Sequence, residues 1–178
     1  VLEKCDAVVM GPGCGKKAET AKWVQQVLKS GKPCVVDADG LTSFADDPET
    51  LQNLLHAKAI ITPHAGEYKA IAGTAAPKDY ANKSGCTLVL KGHETEIFSG
   101  SDHIINTNAP ATLATAGTGD VLSGVIGALL AKGMNPLKAA SAGVWLHGEA
   151  AGQSPHKVGL VAEDLPDEIE KVLGRFTL

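Results

Sequence analysis

Aromatic side chains are scarce: three Phe, two Trp and two Tyr make up 4% of 178 residues. That argues against a surface that stacks nucleobases along a strand. Runs of lysine and arginine are missing too. With a net charge of −4 and a pI near 5.8, a nucleic-acid surface is disfavoured. No apolar run reaches the roughly 18 residues that a membrane span needs, so no membrane partner is expected. The longest candidate, 121–131, is interrupted by Ser123, Gly124 and Gly127. The four cysteines, at 5, 14, 34 and 86, form no C-x-x-C pair, so neither a zinc clip nor a dithiol redox centre is suggested. Cys34 and Cys86 fall in strand-like runs, and reduced, structural thiols of a cytoplasmic protein are expected.

What is present is alternation. Strand-like runs at 7–11 and 33–40 flank an amphipathic segment, 17–30. A helix over 48–57 opens on Pro48 and leads to a strand over 59–67 broken by Pro63. A further helical stretch precedes the strand 87–92, and two short strands, TEIFSG and HIINTN, are placed to pair. From Gly119 the pattern turns helical, over 119–132, 136–151 and 163–173. No repeat, low-complexity tract or linker interrupts it, so 1–178 reads as a single domain. Such alternation predicts an α/β fold: a doubly wound, mostly parallel sheet with helices on both faces. Ligands of such sheets gather outside the carboxyl ends of the strands. There the sequence carries GPGCG, DADG, TPHAGE and KGHET in turn.

The glycine loop MGPGCGKK fails the Walker pattern, with Met10 where glycine and Lys17 where Ser or Thr is required. It also fails G-x-G-x-x-G. A plain βα turn and a close backbone approach to a ligand both remain open for Gly13 and Gly15. Asp37 and Asp39 share one side of an extended segment, suited to a substrate hydroxyl, to indirect organisation of a metal or to a capped turn. His64 and Glu67, three apart, face one way at a helix start; His64 is the pocket candidate and Glu67 reads as a first-turn acid. Too few further ligands stand nearby for a metal site. Lys91, at a strand end beside Gly92, suits a phosphate or a solvated hairpin. His93 and His103 read as loop residues, whereas His56 and His147 read as packing or capping partners.

The most specific stretch is LATAGTGDVLSG, 113–124. One reading has Thr118 or Asp120 capping the helix. The favoured one has Gly117 and Gly119 forming a nest of amides at a positive helix end. A carboxylate beside a bound anion is repelled unless it has a task, and taking a proton from an attacking hydroxyl is such a task.

GTGD opening a long helix resembles the ribokinase-like superfamily. Together with GPGCG, DADGL, TPHAGE, LKG and ATAGTGDVLSG in this order, it is similar to the ADP/ATP-dependent NAD(P)H-hydrate dehydratases. His64-Ala65-Gly66-Glu67 stands where sugar kinases carry Asn-x-x-Glu. The resemblance covers Asp6 to about Gly152. It implies a ribokinase-like fold, with Asp120 as catalytic base and a substrate contact. Lys91, Gly92, His93, Glu94, Thr95, Gly117, Thr118 and Gly119 would border the nucleotide. Gly13, Gly15, Asp37 and His64 would meet the hydrated nicotinamide substrate. It implies ADP or ATP as phosphoryl donor with Mg²⁺, and leaves homo-oligomerisation open. Two departures are visible: Ala109-Pro110 replaces a Gly-Asn pair, and Ala116 replaces a glycine. The family's domain begins well upstream of the equivalent of Val1, so the resemblance implies that the N-terminal part of the domain is not in this chain. A small-molecule kinase and a nucleotide-binding module without turnover are the alternatives.

Overall fold

The computed structural model describes residues 2–156 and 158–176. Six strands form one mixed sheet in the order β1-β2-β3-β4-β5-β6. β1 (Val8–Met10), β2 (Cys34–Val36), β3 (Ala59–Ile61) and β4 (Thr87–Leu90) run parallel. β5 (Thr95–Ser99) and β6 (Asp102–Asn106) return antiparallel as the expected hairpin.

Successive strand residues supply opposite faces. Val36, Ile61 and Leu88 join one core, with α1 (Ala18–Lys29), α2 (Asp39–Thr42), α3 (Pro48–Leu54), α4 (Ala65–Ala72) and α5 (Pro77–Ser84). Val35, Ile60 and Val89 join the other, under α6 (Thr118–Ala131) and α7 (Pro136–Gln153). α8 (Leu165–Leu173) packs outside α7. All six of these strand residues are fully buried, which explains apolar runs with no polar alternation.

The helices follow local chemistry. α1 buries Thr20, Val24, Val27 and Leu28, a stripe at helical spacing. α3 and α7 begin on Pro48 and Pro136, with Asp47 and Asn135 accepting from Thr50 and Leu137 amides. α6 and α7 approach closely because Gly143 faces Ile126: a Cβ on Gly143 would lie 2.6 Å from Ile126 Cγ1.

Three expectations shift. The run 33–40, expected as a strand leading into a polar turn, ends its strand at Val36 and coils at once into α2, with Ala38 at φ +48°. The strand expected over 59–67 ends at Ile61, because Pro63 and the cap of α4 follow. The single helical stretch before β4 is two helices, divided between Gly73 and Pro77.

Candidate active site

The exits of β1 to β4 lie side by side at one edge of the sheet. Gly11 (φ +129°) touches the next exit so closely that a Cβ there would fall 1.8 Å from the Asp37 carbonyl oxygen. Asp37 itself is fully buried. Its Oδ1 accepts from the Ala38 amide and from Lys91 Nζ, each at 2.8 Å. Its Oδ2 accepts from Ser123 Oγ at 2.7 Å, and that hydroxyl lies 3.2 Å from Thr62 Oγ1. Asp39, on the rim, accepts from the Gly15 amide at 2.8 Å.

The β3 and β4 exits are clipped by the Lys91 amide, which donates to the Pro63 carbonyl at 2.8 Å. His64 then caps α4: Nδ1 accepts from the Gly66 and Glu67 amides, and Glu67 Oε2 accepts from the His64 amide. With Nδ1 used as an acceptor, the ring proton belongs on Nε2, 3.4 Å from Glu67 Oε1. Glu67 Oε2 also stands 4.0 Å from Lys91 Nζ.

The glycine turn before α6 answers the capping question. Gly117 (φ +86°) occupies the cap position and no side chain caps the helix. The buried Thr118 hydroxyl is shared between the Leu113 and Thr115 carbonyls, at 2.7 and 2.9 Å, and so ties the loop to itself. Among the described residues, the Gly119 amide has no backbone acceptor. Lys91 Nζ lies 3.3 Å from the point a Gly119 Cβ would occupy. A free amide, a helix start and an ammonium therefore meet, an arrangement whose chemistry suits an anion. Asp120, third in the helix, is exposed beside it.

A cavity of about 400 Å³ opens from this point. Its walls are Lys91, Gly92, His93 and Thr95 on one side and Ala109–Ala111, Leu113 and Ala114 on another. Thr118, Gly119, Leu122, Val144 and His147 complete it. His147 is buried, and burial pushes its pKa down to about 4; a backbone contact to Thr118 opposes this and Lys91 adds to it. The ring is neutral at pH 7. A second depression, about 480 Å³, includes Lys16, Asp39, His64, Gly66 and Glu67.

Lys91, Gly92, His93, Thr95, Thr118 and Gly119 thus share one cavity, and His64 faces the other. Gly13, Gly15, Glu94, Gly117 and Asp120 line neither, and Asp37 is buried with its oxygens filled by protein donors. Ser123, Thr62, Val144 and the 109–114 loop were not foreseen as site residues. A serine one turn after Asp120 in an apolar run was the available signal for Ser123. His147, read as a packing residue, is buried as expected and is also cavity wall.

The mixed, mostly parallel sheet and its two helix layers define an α/β domain of the ribokinase-like class. Within that class the chain belongs to the NAD(P)H-hydrate dehydratase family, whose model matches residues 1–175. It is 38% identical over 179 residues to the ADP-dependent (S)-NAD(P)H-hydrate dehydratase of Neisseria meningitidis, covering 92% of this chain and 60% of that protein. It is 40% identical over 176 residues to the bifunctional NAD(P)H-hydrate repair enzyme of Mycobacterium leprae, covering 94% and 37%. The ADP/ATP-dependent NAD(P)H-hydrate dehydratase from Bacillus subtilis, co-crystallized with ATP/Mg²⁺, superposes with a TM-score of 0.78. That pair shares 28% identity, with 97% of this chain and 65% of that one covered. The chain therefore spans about a third to two thirds of the relatives it matches.

Proposed function

We propose that this chain carries the site of an ADP- or ATP-dependent dehydratase that restores hydrated NADH and NADPH. The observation that carries the reading is the meeting of Lys91 Nζ and the free Gly119 amide in the wall of a mostly apolar cavity, with the exposed Asp120 next along the helix. The cavity takes the nucleoside, and the phosphates reach Lys91 and the start of α6. Asp120 takes the proton as the hydrate's hydroxyl oxygen attacks the terminal phosphorus. The bond from that phosphorus to the leaving nucleotide breaks. The ring nitrogen's lone pair then expels phosphate from carbon, and loss of the neighbouring C–H proton closes the double bond. The hydrate enters from the His64 side, where Asp39 and Lys16 line the depression and the Gly15 amide is bound to Asp39.

Mg²⁺ bridging the phosphates would lower the charge that the attacking oxygen meets. Among the described residues no group of three or more His, Cys, Asp or Glu is placed to hold a metal. The ion would travel with the nucleotide, held largely by its phosphates and by water. Among the same residues no helix is long and apolar enough to cross a membrane. The free thiols of Cys14, Cys34 and Cys86 support a reducing, cytoplasmic setting.

The test is a coupled assay of the full-length protein with NADH hydrate and either ADP or ATP. Return of dihydronicotinamide absorbance with release of phosphate is expected. A stable phosphorylated hydrate would instead identify a kinase, and nucleotide binding without turnover would identify a binding module.

A further inference from the structure

Three parts of the chain converge on one buried carboxylate. Asp37 receives Lys91 from the end of β4, Ser123 from α6 and the Ala38 amide from its own turn. Ser123 lies three residues beyond Asp120, one helical turn away. Lysine is a point charge on a flexible four-carbon stem. Here its ammonium is fixed by a partner with 1% side-chain exposure while its own side chain stays 20% exposed. Of its three N–H donors one is spent on Asp37, leaving the others for an anion. Ala38, at φ +48° and ψ −122°, holds this turn in a conformation rare for a residue with a Cβ.

We propose that Asp37 is the positioning residue of the site: it ties Lys91 to the helix that bears Asp120, and so sets the distance between cation and proton acceptor. It touches neither substrate nor nucleotide. The inference rests on the phosphoryl-transfer reading above. Misplacement by about 1 Å costs such a reaction on the order of 10²-fold.

The experiment uses the full-length protein and the variants Asp37→Asn, Ser123→Ala and their combination. Each single variant is expected to lower kcat about 10- to 100-fold with nucleotide KM moving by less than about threefold. The pair is expected to be no worse than Asp37→Asn alone, since both cut one link. Losses that multiply, or a folded Asp37→Asn variant with kcat within about twofold of wild type, overturn the proposal. Ser123→Ala leaves the Lys91 pair intact and decides the matter should Asp37→Asn fail to fold; unchanged kcat there refutes it. A second readout needs no turnover: acylation of Lys91 by an amine-directed reagent, followed by peptide mass spectrometry. It is expected to quicken severalfold in Asp37→Asn, and an unchanged rate counts against the clamp. Absence of hydrate-dependent turnover in the wild type would refute the dehydratase reading instead, and the acylation result would still decide the clamp.

Discussion

Replacing Asp120 with asparagine separates chemistry from helix stability with unusual clarity. Asp120 is the third residue of α6, exposed, in a helix that no side chain caps. Its only structural contribution is its charge near the positive helix end, worth ~0.3–1 kcal/mol at a surface. In a chain of this size 1 kcal/mol moves Tm by about 2–4 °C. Asparagine keeps the size and loses the charge, so Tm should fall by no more than about 4 °C. Turnover should fall by ~10²–10⁴-fold, the range for losing a general base. Nucleotide affinity should hold or rise. Two unit charges about 6 Å apart in water repel by ~0.7 kcal/mol, so removing one tightens binding by up to about threefold. Turnover from absorbance, affinity by calorimetry and Tm are to be read on the same full-length preparation. Near-normal turnover in the folded variant would refute Asp120 as the base. Parallel losses of turnover and affinity would make it a binding residue.

Three further outcomes are expected. Gly143→Ala puts a methyl 2.6 Å from the fully buried Ile126; overpacking costs ~1–3 kcal/mol against ~1 gained in helix propensity, so Tm should drop by a few degrees, and a rise would show that α7 shifts freely. His147 is held neutral with a pKa of about 4, so the unfolded chain takes up its proton first as pH falls. Its contribution, about 3 kcal/mol, is complete above pH 6.5 and is lost between 6.5 and 4; His147→Gln should flatten that part of the Tm–pH curve by one proton, and an unchanged slope would refute it. Burial pushes the Cys34 thiol up to about 12 and the Cys86 thiol to about 11. A thiol reagent should therefore label Cys14 in the native protein, and Cys34 and Cys86 only on unfolding; native labelling of Cys34 or Cys86 contradicts the packing.

Legibility followed chain distance. Strands such as 34–36 and 59–61 could be read because each is buried on both faces and so is apolar at every position. Lys91 and Gly119 were readable because a lysine at a strand end and a glycine at a helix start carry their chemistry with them. Asp37 was misleading: its partners lie 54 and 86 residues away, and its spacing to Asp39 says nothing of burial. Thr118 lines the cavity, and its hydroxyl turns back to the loop, a choice made by carbonyls at 113 and 115. His64 proved to be both cap and pocket residue, two tasks that one spacing cannot distinguish.

The division of the sheet has a consequence for synthesis. One helical layer comes from residues 18–84 and the other from 118–153, with every strand made in between or before. A chain emerging from the ribosome completes β6 while Val35, Ile60, Val89 and Ile97 still lack their cover. Roughly forty residues separate β6 from Val144, so at ~5–20 residues per second that apolar face stays bare for a few seconds. During that interval it is the molecule's main target for chaperones and its main route to aggregation. The docking of α6 and α7 ends the exposure and, in the same movement, carries Gly119 to Lys91.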